Sequence, residues 1–127
     1  MQKITLLALL AVSVLAINSC CKGGSGGSAE LTCTVFHHSK AIPGATVHIK
    51  YNAKDFPGAD ASSYSTQLKA VGNSNSVTFT GLHCGDYYLY GTGFDSSLGL
   101  PVSGGLHFQI KYSDRKKQES TTVVVTE

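Results

Sequence analysis

Apolar and polar residues alternate at every second position through most of this 127-residue chain. That is the period at which a strand turns one face to a core and the other to solvent. Leu31, Cys33 and Val35 share one face, with Thr32, Thr34 and Phe36 on the other. Val47, Ile49 and Tyr51 alternate with Thr46, His48 and Lys50, and Val77 and Phe79 with Ser76, Thr78 and Thr80. Tyr87, Leu89 and Gly91 alternate with Tyr88 and Tyr90, and Leu106, Phe108, Ile110 and Tyr112 with His107, Gln109 and Lys111. Thr121, Val123 and Val125 oppose Thr122, Val124 and Thr126, and a weaker run from Ser65 to Val71 makes seven predicted strands. The breaks carry turn chemistry: Ile42-Pro43-Gly44, Phe56-Pro57-Gly58, Gly72-Asn73-Ser74-Asn75, His83-Cys84-Gly85-Asp86 and Tyr112-Ser113-Asp114. No amphipathic helical stretch follows Ser28. The pattern predicts an all-β fold: a single seven-stranded Ig-like β-sandwich burying Val47, Ile49, Phe79, Leu89, Phe108 and Val123.

The N-terminus follows a different rule. Lys3 precedes an apolar run of 14 residues, Ile4 to Ile17. That run is shorter than the ~20 residues a membrane span needs and fits a cleaved export signal. The stretch Ile17-Asn18-Ser19-Cys20 resembles the lipobox of bacterial lipoproteins: an aliphatic residue, a tolerant position, a small residue, then a cysteine. The resemblance implies cleavage between Ser19 and Cys20 and acylation of the Cys20 sulfur, with palmitate-type chains as membrane anchor. Each buried acyl CH₂ contributes ~0.8 kcal/mol, so several chains hold a protein firmly. Lys22 and the Gly/Ser run to Ser28 read as a flexible coil, whose reach of ~5–6 Å × √n gives roughly 15 Å of slack. The expected organisation is a signal peptide at 1–19, lipidated Cys20 with linker at 20–28, and a sandwich domain at 29–127. Resemblance to Bacteroidetes-type lipoproteins implies an outer-membrane location. Lys22 without an acidic cluster leaves the periplasmic face and the cell surface both open.

Ile42-Pro43-Gly44-Ala45-Thr46-Val47 and Val77-Thr78-Phe79-Thr80-Gly81-Leu82-His83-Cys84-Gly85-Asp86-Tyr87 carry a second resemblance. They are similar to the prealbumin-like sandwiches called carboxypeptidase regulatory-like domains, and to the B-type repeats of collagen-binding adhesins. In those families a Pro-Gly-Ala-x-Val turn precedes a Val-x-Phe-x-x-Leu-x-x-Gly-x-Tyr strand pair. The resemblance implies a non-catalytic binding module. Cys84 stands where the family often has proline or a small residue, and Asn52 to Gln67 is longer and more irregular than the minimal repeat.

Charge narrows the partners. Ten Lys+Arg, one of them Lys3 in the signal, face eight Asp+Glu, so the mature chain is nearly neutral. That balance gives no electrostatic case for nucleic acid. The expected partners are the membrane, through the N-terminal lipid, and another envelope protein or a surface glycan. A strip of Tyr88, Tyr90, His48 and His107 on one outer sheet face is the candidate binding surface. Leu98 and Leu100 sit in a loop that is either a contact site or a cover over one sandwich end.

With Cys20 acylated, Cys21, Cys33 and Cys84 remain, an odd number for an exported chain. Cys33 and Cys84 are the candidate bridge, two free thiols the competing view. No catalytic residues and no cofactor are expected: there is no Gly-x-Ser-x-Gly elbow and no distinctive carboxylate pair. Five histidines, His37, His38, His48, His83 and His107, show no metal-ligand spacing. His37 and His38 point to opposite faces if extended, and solvent-facing rings are expected, with no metal site. Two rival readings remain: an envelope metal-binding lipoprotein using His83 and Cys84, and a structural accessory subunit of an outer-membrane complex.

Overall fold

Ser25–His37 forms one continuous strand (β1), and its burial alternates along the length from Ala29 onward. Ala29, Leu31, Cys33, Val35 and His37 form the inward row. A computed structural model describes residues 21–127; the expected signal peptide at 1–19 and the expected lipidation site Cys20 lie outside the described residues. The remaining strands are Lys40–Ala41 (β2), Thr46–Tyr51 (β3), Thr66–Lys69 (β4), Ser76–Leu82 (β5), Gly85–Asp95 (β6), Leu100–Ile110 (β7) and Gln118–Val125 (β8). The described residues are all-β, with only single 3-10 turns at Ala61–Ser63 and Tyr112–Asp114 besides the strands. Among the described residues there are eight strands, not the seven that alternation suggests. The extra one, β2, is two residues long, too short for period two to register.

The described residues form two sheets of four strands. In one, β1 pairs antiparallel with β2 and β5 and parallel with β8. In the other the order is β4-β3-β6-β7, all antiparallel. One core lies between them. Leu31, Cys33, Val35, Phe79, Val123 and Val125 from the first sheet meet Val47, Ile49, Tyr87, Leu89 and Ile110 from the second. Truncating a buried Leu such as Leu31 or Leu89 to Ala costs ~2–5 kcal/mol in such a core. The outer face of the first sheet carries hydroxyl rungs, Thr32 with Thr78 at 2.9 Å and Thr34 with Ser76 at 2.8 Å, and an apolar pair, Phe36 beside Val124.

Phe108 departs from the expected inward set, because β7 is the edge of its sheet and Phe108 is only half-buried against the core. The sheets join at one corner, where Ser103 and Thr126 exchange backbone hydrogen bonds of 2.9 and 2.8 Å. Gly104 beside this corner has no room for a side chain, since a Cβ there would collide with the carbonyl oxygen of Val124.

Candidate functional site

The segment expected to be slack is instead structured. Cys21 is disulfide-bonded to Cys84, with Cα atoms 4.9 Å apart. The expected Cys33–Cys84 bridge is therefore wrong. Alternation correctly turns Cys33 inward, and that is why it cannot pair: it sits mid-strand in the core, whereas Cys84 sits in the β5–β6 turn at one pole. Cys33 is a free, buried thiol, and burial pushes its pKa up to about 12.

Three further contacts hold the residues after Cys21. The Tyr87 hydroxyl accepts from the Gly24 amide at 2.9 Å and donates to the His83 carbonyl at 2.6 Å. The His83 amide donates to the Gly24 carbonyl at 2.9 Å. Asn52 Nδ2 donates to the Gly23 carbonyl at 3.0 Å, with Asn52 itself at φ 56. Gly85 has φ 146, and any Cβ there would strike the Gly23 backbone, so glycine is required where the two segments cross. Residues 21–28, expected to be flexible linker ahead of a domain at 29–127, instead pack into the fold as a latch.

Around this latch runs an open groove of about 500 Å³ lined by Cys21, Lys22, His83, Cys84, Tyr112 and Arg115. A smaller cleft of about 230 Å³ continues it past Arg115 and Lys116. The Arg115 guanidinium lies 3.9 Å from the Tyr112 ring centroid and donates to the Tyr112 carbonyl at 2.9 Å, a cation–π arrangement that fixes the charge at the pole.

The strip of Tyr88, Tyr90, His48 and His107 is not the open platform expected. All four lie on the outward face that alternation assigns, but Tyr90 and His48 are only 7% exposed. The irregular segment between β3 and β4 folds over them. Tyr64 stacks on Tyr90 at 5.7 Å with planes 11° apart, and its hydroxyl donates to the Gly58 carbonyl at 2.8 Å. Phe56 covers Tyr90 at 5.3 Å and Tyr88 at 6.0 Å, and His48 lies 5.4 Å from Tyr64. Burial pushes the Tyr64 hydroxyl up to about 12 and holds the His48 imidazole below its usual pKa. A second small aromatic core occupies the face. Only Tyr88 and His107 remain reachable, the latter 2.8 Å from Asp86 Oδ1.

At the opposite pole β1 ends at His37 and β6 at Asp95, about 30 Å from the latch at ~3.3 Å per residue. His37 is 1% exposed, against the expectation that every histidine faces solvent. Its Nδ1 lies 2.8 Å from Asp95 Oδ2, and Ser97 Oγ donates to Asp95 Oδ1 at 2.6 Å. The Ser97 hydroxyl first, then His37 and the Lys40 ammonium 3.6 Å away, hold the Asp95 carboxyl well below the carboxylate range. The loop between β6 and β7 does not cover this end: Phe94 and Leu98 are each 55% exposed and Leu100 is 41% exposed. At the first pole the sulfur of Cys84 is consumed by its bridge, so His83 and Cys84 do not make the thiolate site of the metal-binding alternative. No helix among the described residues is long and apolar enough to cross a membrane.

No protein-family model matches this chain, and neither a curated protein nor a solved structure matches it.

Proposed function

We propose that this chain is a lipid-anchored cell-envelope protein whose prealbumin-like sandwich is a non-catalytic binding module, mounted rigidly on an outer membrane. The observation that carries the reading is the Cys21–Cys84 disulfide immediately after the lipobox-like Cys20. Consecutive Cα atoms are ~3.8 Å apart. An acyl anchor on Cys20 therefore joins the domain without slack, in place of the roughly 15 Å a free Gly/Ser coil would give. Lys22, Arg115 and Lys116 surround that attachment point and suit the anionic surface of a membrane.

This mounting turns the far pole outward. Phe94, Leu98 and Leu100 there offer exposed apolar surface on a rigid hairpin, which favours another envelope protein over a glycan as partner. The wiring of the polar groups supports a role without catalysis. Asp95 sits between Ser97 and His37, so the serine hydroxyl donates to the carboxylate and not to the imidazole. A hydrolytic triad needs the imidazole in the middle.

The test is mass spectrometry of the mature N-terminal peptide together with detergent partitioning of membranes. A triacylated or diacylated Cys20 and release by detergent but not by salt are expected. An unmodified Cys20, or cleavage elsewhere, overturns the reading.

A further inference from the structure

We propose that His37, His38 and Glu127 form a site for one divalent transition-metal ion, zinc foremost, at the pole away from the proposed anchor. Each of the three offers a donor atom, and these atoms lie within 4.8 Å of one another. Tetrahedral zinc with bonds of ~2.0–2.2 Å sets its ligand atoms roughly 3.4 Å apart, so the group is close to the spacing an ion requires.

The backbone makes this grouping. Neighbours in an extended strand face opposite ways, which would separate the two rings. His38 instead adopts φ 53 in the turn between β1 and β2, bringing the rings to 4.3 Å between centroids. A non-glycine residue at positive φ is uncommon, and such geometry concentrates at functional positions.

His37 is also oriented as a ligand would be. His37 Nδ1 lies 2.8 Å from Asp95 Oδ2, the contact in which a ring N–H donates to a carboxyl oxygen. The ring's other nitrogen, Nε2, is buried and has no hydrogen-bond partner among the described residues. It nonetheless lies 2.8 Å from Glu127 Oε2, in a direction that does not make a hydrogen bond. A metal ion coordinated by both atoms would satisfy the pair. A carboxylate that fixes the tautomer and plane of a histidine from behind is the usual support for a metal ligand. Glu127 is 55% exposed at its side chain and free to open by the few tenths of an ångström that an ion needs, with solvent available for a fourth position. Two imidazoles and one carboxylate form a borderline donor set, suited to Zn²⁺ and to Cu²⁺ or Ni²⁺ rather than to Ca²⁺ or Mg²⁺.

The test is calorimetric titration of the intact mature chain in detergent with ZnCl₂, beside the variants His38→Asn, Glu127→Gln and His107→Asn. Asparagine tolerates the positive φ of residue 38, so His38→Asn removes the ligand and keeps the turn. Equal melting temperatures confirm that the fold is intact. One zinc per chain is expected for the wild type and for His107→Asn. Binding should weaken at least about tenfold in His38→Asn and in Glu127→Gln. Substitution with Co²⁺ should give visible ligand-field bands that His38→Asn abolishes. Absence of zinc uptake at sub-millimolar metal overturns the proposal, as does uptake that both ligand variants retain. Neither result bears on acylation of Cys20, which is read separately.

Discussion

The hydroxyl oxygen of Tyr87 lies 2.9 Å from the amide nitrogen of Gly24, a residue 63 positions earlier in the chain. Tyr87 is fully buried and its ring meets Tyr51 edge-on at 5.9 Å, so the hydroxyl cannot follow a wandering N-terminus. The segment comes to the ring, and a Gly-rich stretch that would be coil in isolation becomes part of the fold.

Replacing Tyr87 with Phe keeps the ring and removes this contact. The Gly24 amide and His83 carbonyl lose their partner, which should cost about 1–3 kcal/mol. Hydrogen exchange should rise most at Gly23–Gly27 while the amides of β3 and β8 stay protected. Equal acceleration everywhere would show that Tyr87 supports the core rather than the latch.

Breaking the Cys21–Cys84 bridge by Cys84→Ser should destabilise the domain more. The bridged residues are 63 apart, and the loop-entropy relation gives about 4 kcal/mol for a loop of that length. For a domain of this size that corresponds to a fall in Tm on the order of 15 °C. Thermal unfolding of wild type and variant, each with and without reductant, checks it: the variant should be indifferent to reductant.

Cys33 should be chemically silent in the native state. Burial raises its pKa to about 12, and the thiolate is the reactive form. Alkylation without reductant should label no cysteine among residues 21–127 in native protein and Cys33 alone in denaturant, as peptide mapping will show. Labelling of Cys84 in that experiment would refute the disulfide assignment.

Acid should weaken the fold through Asp95. Its folded pKa is depressed, chiefly by the Ser97 hydroxyl and then by His37, so the ionised form favours the native state. That stabilisation is complete above the unfolded aspartate value of ~3.9 and is lost as pH falls through the lower folded value. Urea midpoints measured across the acid range should therefore fall less steeply for Asp95→Asn than for wild type. Asp95→Asn should also be the less stable protein at neutral pH.

Gly104→Ala tests the corner between the sheets. The new methyl meets the Val124 carbonyl and, at 3.0 Å, the Val125 Cα, which are backbone atoms that cannot rotate away. A loss of ~1–3 kcal/mol is expected in chemical denaturation. Gly44→Ala is a control of another kind, since nothing lies within 4 Å and only its φ of 70 opposes a side chain.

Period two made much of the fold legible. Val47, Ile49, Phe79, Leu89 and Val123 are buried where alternation puts them, because each strand has one face toward a shared core. Alternation assigns a face and nothing more. It places His48 and Tyr90 outward correctly, yet their cover comes from Phe56 and Tyr64 in an aperiodic segment whose path no local pattern encodes. It turns Cys33 inward but is silent on Cys21, whose partner is chosen by how the N-terminal segment crosses Gly85. A single backbone angle at His38 reverses the expectation for its side chain; histidine is among the residues enriched at positive φ, but alternation carries no information on φ.

β1 is zipped in parallel to β8 from Glu30 opposite Gln118 to His37 opposite Val125. A chain emerging N-terminus first presents β1 early, with one whole edge unpaired until nearly ninety later residues have followed. No local hairpin can stand in for that partner, so this pairing must wait until β8 has been made. Until then the burden of keeping the open edge from other chains falls on whatever escorts the nascent protein.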